Sequence, residues 1–115
     1  MIKISVMYPQ SPGTRFDHDY YRENHLPLIK RSMGEALKYY TIDKELAAGA
    51  PYVAMCHLIC DSLESYQSSM GPHAAEIKAD IPKFTDRTPV TQISQIVVEN
   101  SAEALQTVST EHYKP

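Results

Sequence analysis

The 115-residue sequence has no apolar run close to the roughly 20 residues that a membrane-spanning helix requires. Its first ten residues, MIKISVMYPQ, alternate like a β-strand. They contain neither the continuous apolar core nor the small-residue cleavage site of a secretory signal. Both absences argue against a membrane partner and against export. We therefore expect a soluble, cytoplasmic protein.

Basic patches and nucleotide-binding motifs are also missing. Eleven Lys and Arg residues stand against 14 Asp and Glu residues, which gives a formal net charge of -3, and the basic residues are scattered singly or in pairs. A nucleic-acid partner needs basic side chains along a run of phosphates, so none is expected. There is no GxGxxG, P-loop, GxSxG, HExxH or CxxC motif. The sequence therefore predicts no bound cofactor.

Metal ligation and disulfide formation have little support in the sequence. Successive residues of DHD at 17–19 diverge around a helix, and acidic residues in a first turn stabilise the helix without a ligand, so no metal site is expected. The only cysteines are Cys56 and Cys60. On a strand they would lie about 13 Å apart, at about 3.3 Å per residue, which is too far for a disulfide. We expect two buried thiols.

What the sequence does contain is a regular succession of strand and helix patterns. Strand patterns occur at residues 2–8, 35–43, 52–60 and 90–98. Helical patterns follow the first and the third of these, and a proline interrupts each helical region. The order βαββαβ predicts an α+β protein of ferredoxin-like fold, with both helical regions on one face of a four-stranded antiparallel sheet. Residues 1–115 are expected to form a single domain, with a polar C-terminal tail over 100–115.

Local signals predict where the helices begin and bend. Asp17 is a suitable N-cap for the first helix. Pro27 disfavours helical geometry at the residue before it, so we expect two short helices, or one kinked helix, meeting near His25. Asp61 followed by Glu64 resembles a capping pattern for the helix that extends to about residue 70.

The sheet face turned away from the helices is expected to be neither fully apolar nor fully polar. The residues assigned to it are Met7, Tyr39 and either His57 or Cys56, mixed with Ser5 and Gln95. Such a face is too apolar to remain uncovered on a monomer, and a second copy of the sheet is a natural cover. The sequence therefore predicts a homodimer.

His25 is the strongest candidate for a catalytic residue. It follows Tyr21 by four positions, so the two side chains can share one helix face, and it precedes the bend expected at Pro27. The ordinary pKa of histidine suits a general acid or base at neutral pH. The alternative is a structural histidine that caps the helix or binds a neighbour.

Further histidines and tyrosines are candidates for the wall of a ligand pocket. His57 lies within an apolar strand and is either a hydrogen-bonded core residue or a pocket residue. His73 precedes a helical piece, where capping is the alternative to lining a pocket. Tyr20 and Tyr39 could supply hydroxyls that orient a ligand, although aromatic residues are more often core. With Met7, these residues form the predicted pocket.

The segment FDHDYYRENHLPL, together with the preceding YPQSPGTR and the later MGPH, resembles the EthD-like proteins of the dimeric α+β barrel superfamily. The resemblance extends over roughly residues 2–98. It implies a ferredoxin-like subunit that pairs sheet to sheet with its twin, and a pocket between helices and sheet. His25 stands at the position of the family's motif histidine, and His73 corresponds to a second histidine less firmly.

The same resemblance implies a cofactor-independent small-molecule protein. The leading hypothesis is an enzyme of lyase, isomerase or monooxygenase type that acts on an apolar or aromatic oxygenated metabolite. His25 would move a proton, and Tyr21 or Tyr20 would position a carbonyl or hydroxyl group. One alternative is a non-catalytic ligand-binding or accessory dimer of a catabolic pathway, and another is a purely structural dimer without a cavity.

Overall fold

The computed structural model describes residues 1–100, so the predicted tail lies, apart from Asn100, outside the described residues. The strands are β1 (Ile2–Pro9), β2 (Leu37–Lys44), β3 (Tyr52–Cys60) and β4 (Val90–Gln95). The α-helices are α1 (His18–Tyr20), α2 (Leu26–Met33), α3 (Leu63–Met70) and α4 (Ala74–Asp80). None of the described helices is long and apolar enough to cross a bilayer.

The four strands form one antiparallel sheet in the order β2-β3-β1-β4. The predicted α+β class and ferredoxin-like fold are confirmed by this topology and by the helical regions that follow β1 and β3. Because β3 and β1 are the inner strands, each βαβ half contributes one strand to the centre of the sheet. The residues of β1 are therefore well placed to line a site between sheet and helices.

The core lies between the sheet and the helices. Along β1, Ile4 and Tyr8 are buried, and on β3 the buried residues Cys56 and Leu58 belong to the same cluster. Helix α2 contributes Leu26, Ile29 and Met33, and α4 contributes Ile77. Side chains alternate across a strand, so the buried residues of β1 and β3 define the inner face of the sheet. Both cysteines are buried and unpaired, as predicted.

The opposite face, called the outer face below, carries a mixture of polar and apolar side chains. Met7 lies opposite Met55 and Val90, and Ser5 lies opposite His57. The sequence left open whether Cys56 or His57 occupies this face, and the register assigns it to His57. The placement of Gln95 on this face was wrong, because Gln95 pairs with Ile2 and therefore shares the inner side.

The first helical region continues through Pro27, so of the two predicted alternatives the single helix with an irregularity near His25 is correct and the two separate helices are not. Residues Tyr21–His25 form a five-residue π-helical segment between α1 and α2, and the Leu26 N–H donates to the carbonyl oxygen of Tyr21. Leu26 keeps helical angles, with φ -66° and ψ -40°. The wider turn accommodates a proline that lacks an N–H and would crowd the carbonyl of residue 23 in a regular α-helix.

Two predicted boundaries also change. The helix α3 is capped by Ser62, whose hydroxyl accepts from the Ser65 N–H and forms a capping box with it; the cap predicted at Asp61 is one residue too early. The strand predicted to reach residue 98 ends at Gln95. Beyond it the chain crosses toward β2, where the hydroxyl of Tyr39 donates to Glu99 at 3.0 Å.

Candidate functional site

The helix that carries His25 is fixed at its start by a side-chain cap and an aromatic contact. The Asp17 carboxylate accepts a hydrogen bond from the Tyr20 N–H at 3.0 Å, as the sequence predicted. Just before the cap, the ring of Phe16 packs edge-on against Tyr21, with the centroids 5.0 Å apart. These contacts fix the start of the helical region and therefore the orientation of the π-helical segment that follows it.

Tyr21 and His25 share one face of this segment. Their rings are nearly parallel, with an interplanar angle of 16° and centroids 5.6 Å apart. Phe84 packs against both rings, with its centroid 4.5 Å from that of His25 and 5.0 Å from that of Tyr21. His25 is only 2% exposed. The ring is therefore held in a fixed orientation by packing.

His25 is paired with a buried carboxylate. Its Nδ1 lies 2.9 Å from Oδ2 of Asp80, the last residue of α4. The other oxygen of Asp80 accepts a hydrogen bond from the hydroxyl of Tyr20 at 2.8 Å, and the ammonium of Lys83 lies 3.5 Å away. Asp80 is buried, at 8% exposure. A carboxylate in this position needs such partners to remain charged.

The protonation states of this pair follow from its surroundings. Burial tends to raise the pKa of Asp80, but the hydrogen bonds from His25 and Tyr20 and the nearby positive charges outweigh it, so the pKa is lowered overall. Burial also lowers the pKa of His25, although Asp80 opposes this effect. At neutral pH the carboxylate is ionised and can only accept, so the Nδ1 of His25 must donate to it. A neutral imidazole then has its lone pair on Nε2.

His25 lines a cavity of about 160 Å³ between the inner face of the sheet and the helices. Most of its wall is apolar and is formed by Val6, Ile29, Leu58, Met70, Ala74, Ile77, Ile81 and Pro89. The other wall residues are Tyr8, Tyr21, Cys56, Tyr66, Lys78 and Thr91. Within residues 1–100, the Nε2 of His25 makes no hydrogen bond. It is therefore available to a molecule in this cavity.

Two further polar groups of the cavity wall are buried and neutral. The hydroxyl of Tyr21 makes no hydrogen bond of good geometry among residues 1–100, although the Tyr8 hydroxyl and the Cys56 thiol lie beside it. Burial raises the pKa of Tyr21 far above the ordinary value. The thiol of Cys56 is also desolvated, which raises its pKa to about 11. At neutral pH the phenol is thus a donor without a well-placed acceptor, and the thiol lacks the thiolate character of a nucleophile.

The predicted site residues fall into separate places. Tyr21 and His25 lie together on the cavity wall. The other five predicted pocket residues do not line this cavity. Tyr20 reaches Asp80 instead of the cavity, and His73 belongs to a 3-10 turn outside its lining.

The remaining three, Met7, Tyr39 and His57, lie on the outer face of the sheet. The helices cover only the inner face, and period-2 alternation turns these three side chains away from the cavity. There the ring nitrogens of His57 lie 2.8 Å from the Ser5 hydroxyl and 3.1 Å from an oxygen of Asp43.

Asp80 is the site residue that the sequence reasoning missed. It lies 55 positions from its partner, so no local motif connects the two. One signal was available: Asp80 follows Ile77 by three positions and precedes Ile81, so a carboxylate occurs on the apolar face of a helix. An acidic residue at such a position needs a buried partner. Within the described part of the chain, no three His, Cys, Asp or Glu side chains converge in a way that could hold a metal ion.

Comparison with known proteins identifies the family. The model of the EthD domain matches residues 13–88, which is well over half of the chain. The chain belongs to the EthD domain family. The EthD match contains the π-helical segment with His25 as well as α4 with Asp80. Both members of the buried pair therefore lie within the EthD domain.

Solved structures agree with this family and fold. An EthD-like protein from Ralstonia eutropha JMP134 is 50% identical, with a TM-score of 0.79 over 87% of this chain and 95% of that one. An EthD family protein from Bacillus halodurans C-125 is 20% identical, with a TM-score of 0.66 over 84% and 99%. A dimeric ferredoxin-like protein from Thermobifida fusca YX is 15% identical, with a TM-score of 0.57 over 83% and 90%. A search of curated proteins gives no significant match to the EthD chain.

Proposed function

We propose that the cavity binds a small apolar or aromatic metabolite with a carbonyl or hydroxyl oxygen, and that His25 is the general base of a cofactor-independent reaction on it. The observation that carries this proposal is the 2.9 Å contact between His25 Nδ1 and Asp80 Oδ2 at the wall of the cavity. A carboxylate that accepts from Nδ1 leaves Nε2 as a base and stabilises the imidazolium formed when it takes a proton.

Tyr21 is the complementary electrophilic group in this proposal. Its neutral, unpartnered hydroxyl donates to the oxygen of the bound molecule. When Nε2 removes a proton from the carbon next to a carbonyl, the electron pair of that C–H bond moves onto the carbonyl oxygen. The resulting enolate accepts a stronger hydrogen bond from Tyr21 than the ketone does. Lyase, isomerase and cofactor-free monooxygenase reactions can each start from such an anion.

Hydrogen exchange in a simple ketone tests this step without knowledge of the natural substrate. The protein is incubated in D₂O with 2-tetralone, whose C1 hydrogens are acidic, and proton NMR follows their loss. We expect exchange above the buffer rate with wild type and near the buffer rate with His25→Gln. Exchange that is equal for the two proteins would contradict a role for His25 as base.

The second candidate is a binding protein without turnover, and the predominantly apolar wall of the cavity favours it. In that case the pair formed by His25 and Asp80 only shapes the cavity. Binding of 2-tetralone, followed by shifts of the Tyr21 and Ile77 amide signals, would then occur without catalysed exchange. The two measurements on one sample therefore separate the candidates.

We also infer that the chain acts as a homodimer with its outer sheet faces together, forming a dimeric α+β barrel. Tyr39 is 47% and Val90 49% exposed on this face, beside half-buried Met7 and Met55. An apolar surface of this kind favours a second copy of itself related by a two-fold axis. The protein from Thermobifida fusca is described as dimeric. The cytoplasmic location stays a prediction.

A further inference from the structure

An open groove lies next to the cavity beside His25. The groove has a volume of about 400 Å³ and shares Lys78, Ile81 and Pro89 with the cavity wall. Its other residues are Pro82, Thr85, Asp86, Arg87 and Thr88, from the segment between α4 and β4. Lys78 therefore borders both spaces.

Lys78 is the basic residue at the junction of the two spaces. It lies on α4 one residue after Ile77 and three before Ile81, so the face of α4 that lines the apolar cavity also carries this lysine. The residue is exposed, and its aliphatic stem can follow the cavity wall while the ammonium reaches water. Among residues 1–100, Lys78 forms no ion pair.

The neighbouring basic side chains are already engaged. Arg87 donates from Nε to the hydroxyl of Thr14 at 3.0 Å and lies 3.8 Å from a carboxylate oxygen of Asp86. Lys83 lies 3.5 Å from Asp80, within the site itself. Lys78 is therefore the cation at this junction whose charge no described acidic group offsets.

We propose that the molecule bound beside His25 is a monocarboxylate, whose apolar part occupies the cavity and whose carboxylate pairs with Lys78 at its mouth. This inference rests on one part of the proposed function, namely that the cavity binds a ligand, and does not require catalysis by His25. A single uncompensated ammonium matches a group of charge -1 better than a dianionic phosphate. The pairing also fixes the orientation of the bound molecule. In the reverse orientation its carboxylate would lie at the inner end of the cavity, where it would be desolvated close to the negative charge of Asp80.

The direction of binding has a chemical consequence. The end of the molecule opposite the carboxylate faces Tyr21 and the Nε2 of His25. A reacting carbonyl would therefore be separated from the carboxylate by an apolar spacer. Lys78 acts in this arrangement as a specificity-determining residue that does not touch the reacting atoms.

A pair of probes of the same shape tests the proposal. Binding of 3-phenylpropanoate and of neutral 3-phenylpropanamide is measured by NMR titration at pH 7, with the amides of Tyr21 and Ile77 as reporters of the cavity. We expect the carboxylate to bind about three- to fivefold more tightly than the amide, as for one partly exposed ion pair. In Lys78→Met the two probes should bind equally, with the affinity of the amide unchanged. Lys44→Met, which removes an exposed lysine away from the cavity, should keep the preference.

The outcomes separate this inference from the proposed function. Equal binding of both probes to wild type, or a preference that persists in Lys78→Met, overturns the role of Lys78 while ligand binding beside His25 stands. If neither probe shifts the cavity reporters at millimolar concentration, cavity binding fails and the inference fails with it. Loss of the preference in Arg87→Met but not in Lys78→Met would also contradict the assignment.

Discussion

The Nδ1 of His25 donates a 2.9 Å hydrogen bond to Asp80, although 55 positions separate the two residues. The contact joins the π-helical segment after α1 to the last residue of α4. Both side chains are nearly inaccessible to water, at 3% and 9% side-chain exposure. It therefore links two helices structurally and also orients an imidazole toward a cavity.

Acid should destabilise the protein in two steps. The pKa of His25 is lowered by burial, so the unfolded chain takes up this proton first as the pH falls below about 6.5. The pKa of Asp80 is lowered as well, so its contribution is present above about pH 4 and is lost as the pH falls through its folded value. Denaturant unfolding from pH 8 to 3 measures both. The stability of His25→Gln should fall less than that of wild type between pH 7 and 5, and an identical profile would contradict the assignment.

Removal of the imidazole should affect stability as well as function. His25→Ala deletes a buried ring packed on Tyr21 and Phe84 and orphans the carboxylate of Asp80. We expect a loss of about 2 to 4 kcal/mol in the free energy of unfolding. In His25→Gln an amide N–H can still donate to Asp80, so stability should fall less while 2-tetralone exchange is lost. Retention of exchange by this stable variant would rule out His25 as the base.

Removal of the hydroxyl should have different effects on stability at the adjacent residues Tyr20 and Tyr21. Tyr21→Phe removes a buried hydroxyl without a described partner, so stability should remain unchanged or rise by up to about 1 kcal/mol. Exchange of 2-tetralone should nevertheless slow, because the donor to the enolate is gone. Tyr20→Phe removes the hydrogen bond to Asp80 and should lower the melting temperature. If Tyr21→Phe exchanges at the wild-type rate, its hydroxyl takes no part in the reaction.

The proposed dimer should be sensitive to charge on the outer face. Met7 lies on an inner strand of that face, between Met55 and Val90. In Met7→Asp two symmetry-related carboxylates would be buried without partners, so we expect dissociation to a monomer. Leu46→Asp adds the same charge at a fully exposed loop position and should leave the mass unchanged. Light scattering at micromolar concentration measures both. A wild-type monomer, or a Met7→Asp dimer, would contradict the proposal.

Local patterns in the sequence were sufficient for the fold and for half of the candidate catalytic pair. Period-2 alternation gave the strands, and the four-residue spacing of Tyr21 and His25 gave their shared face. The turn at Pro27 was different, because proline rules describe an α-helix and the chain adopts a wider π-helical turn. Because the helical region continues past His25, this residue is buried in the core, whereas the break expected from the sequence would have left it more exposed.

Contacts between elements that are distant in the sequence could not be predicted from local patterns. A strand has two faces, and alternation alone does not tell which one the helices cover, so the sequence could not separate Met7, Tyr39 and His57 from the residues of the inner face. Asp80 requires knowledge of which helices are neighbours. Its position on an apolar helix face indicates burial, but its partner is set by tertiary packing.

The most direct measurement is the protonation of the His25 imidazole, by long-range proton–nitrogen NMR at pH 7. Asp80 accepts from Nδ1, and burial holds the pKa of His25 below its ordinary value, so the ring should be neutral at pH 7, with its proton on Nδ1 and a bare Nε2. The carboxylate also opposes the effect of burial, so Asp80→Asn should lower the pKa of His25 further. A proton on Nε2, a charged ring at pH 7, or a pKa that rises in Asp80→Asn would contradict His25 as a base oriented by Asp80.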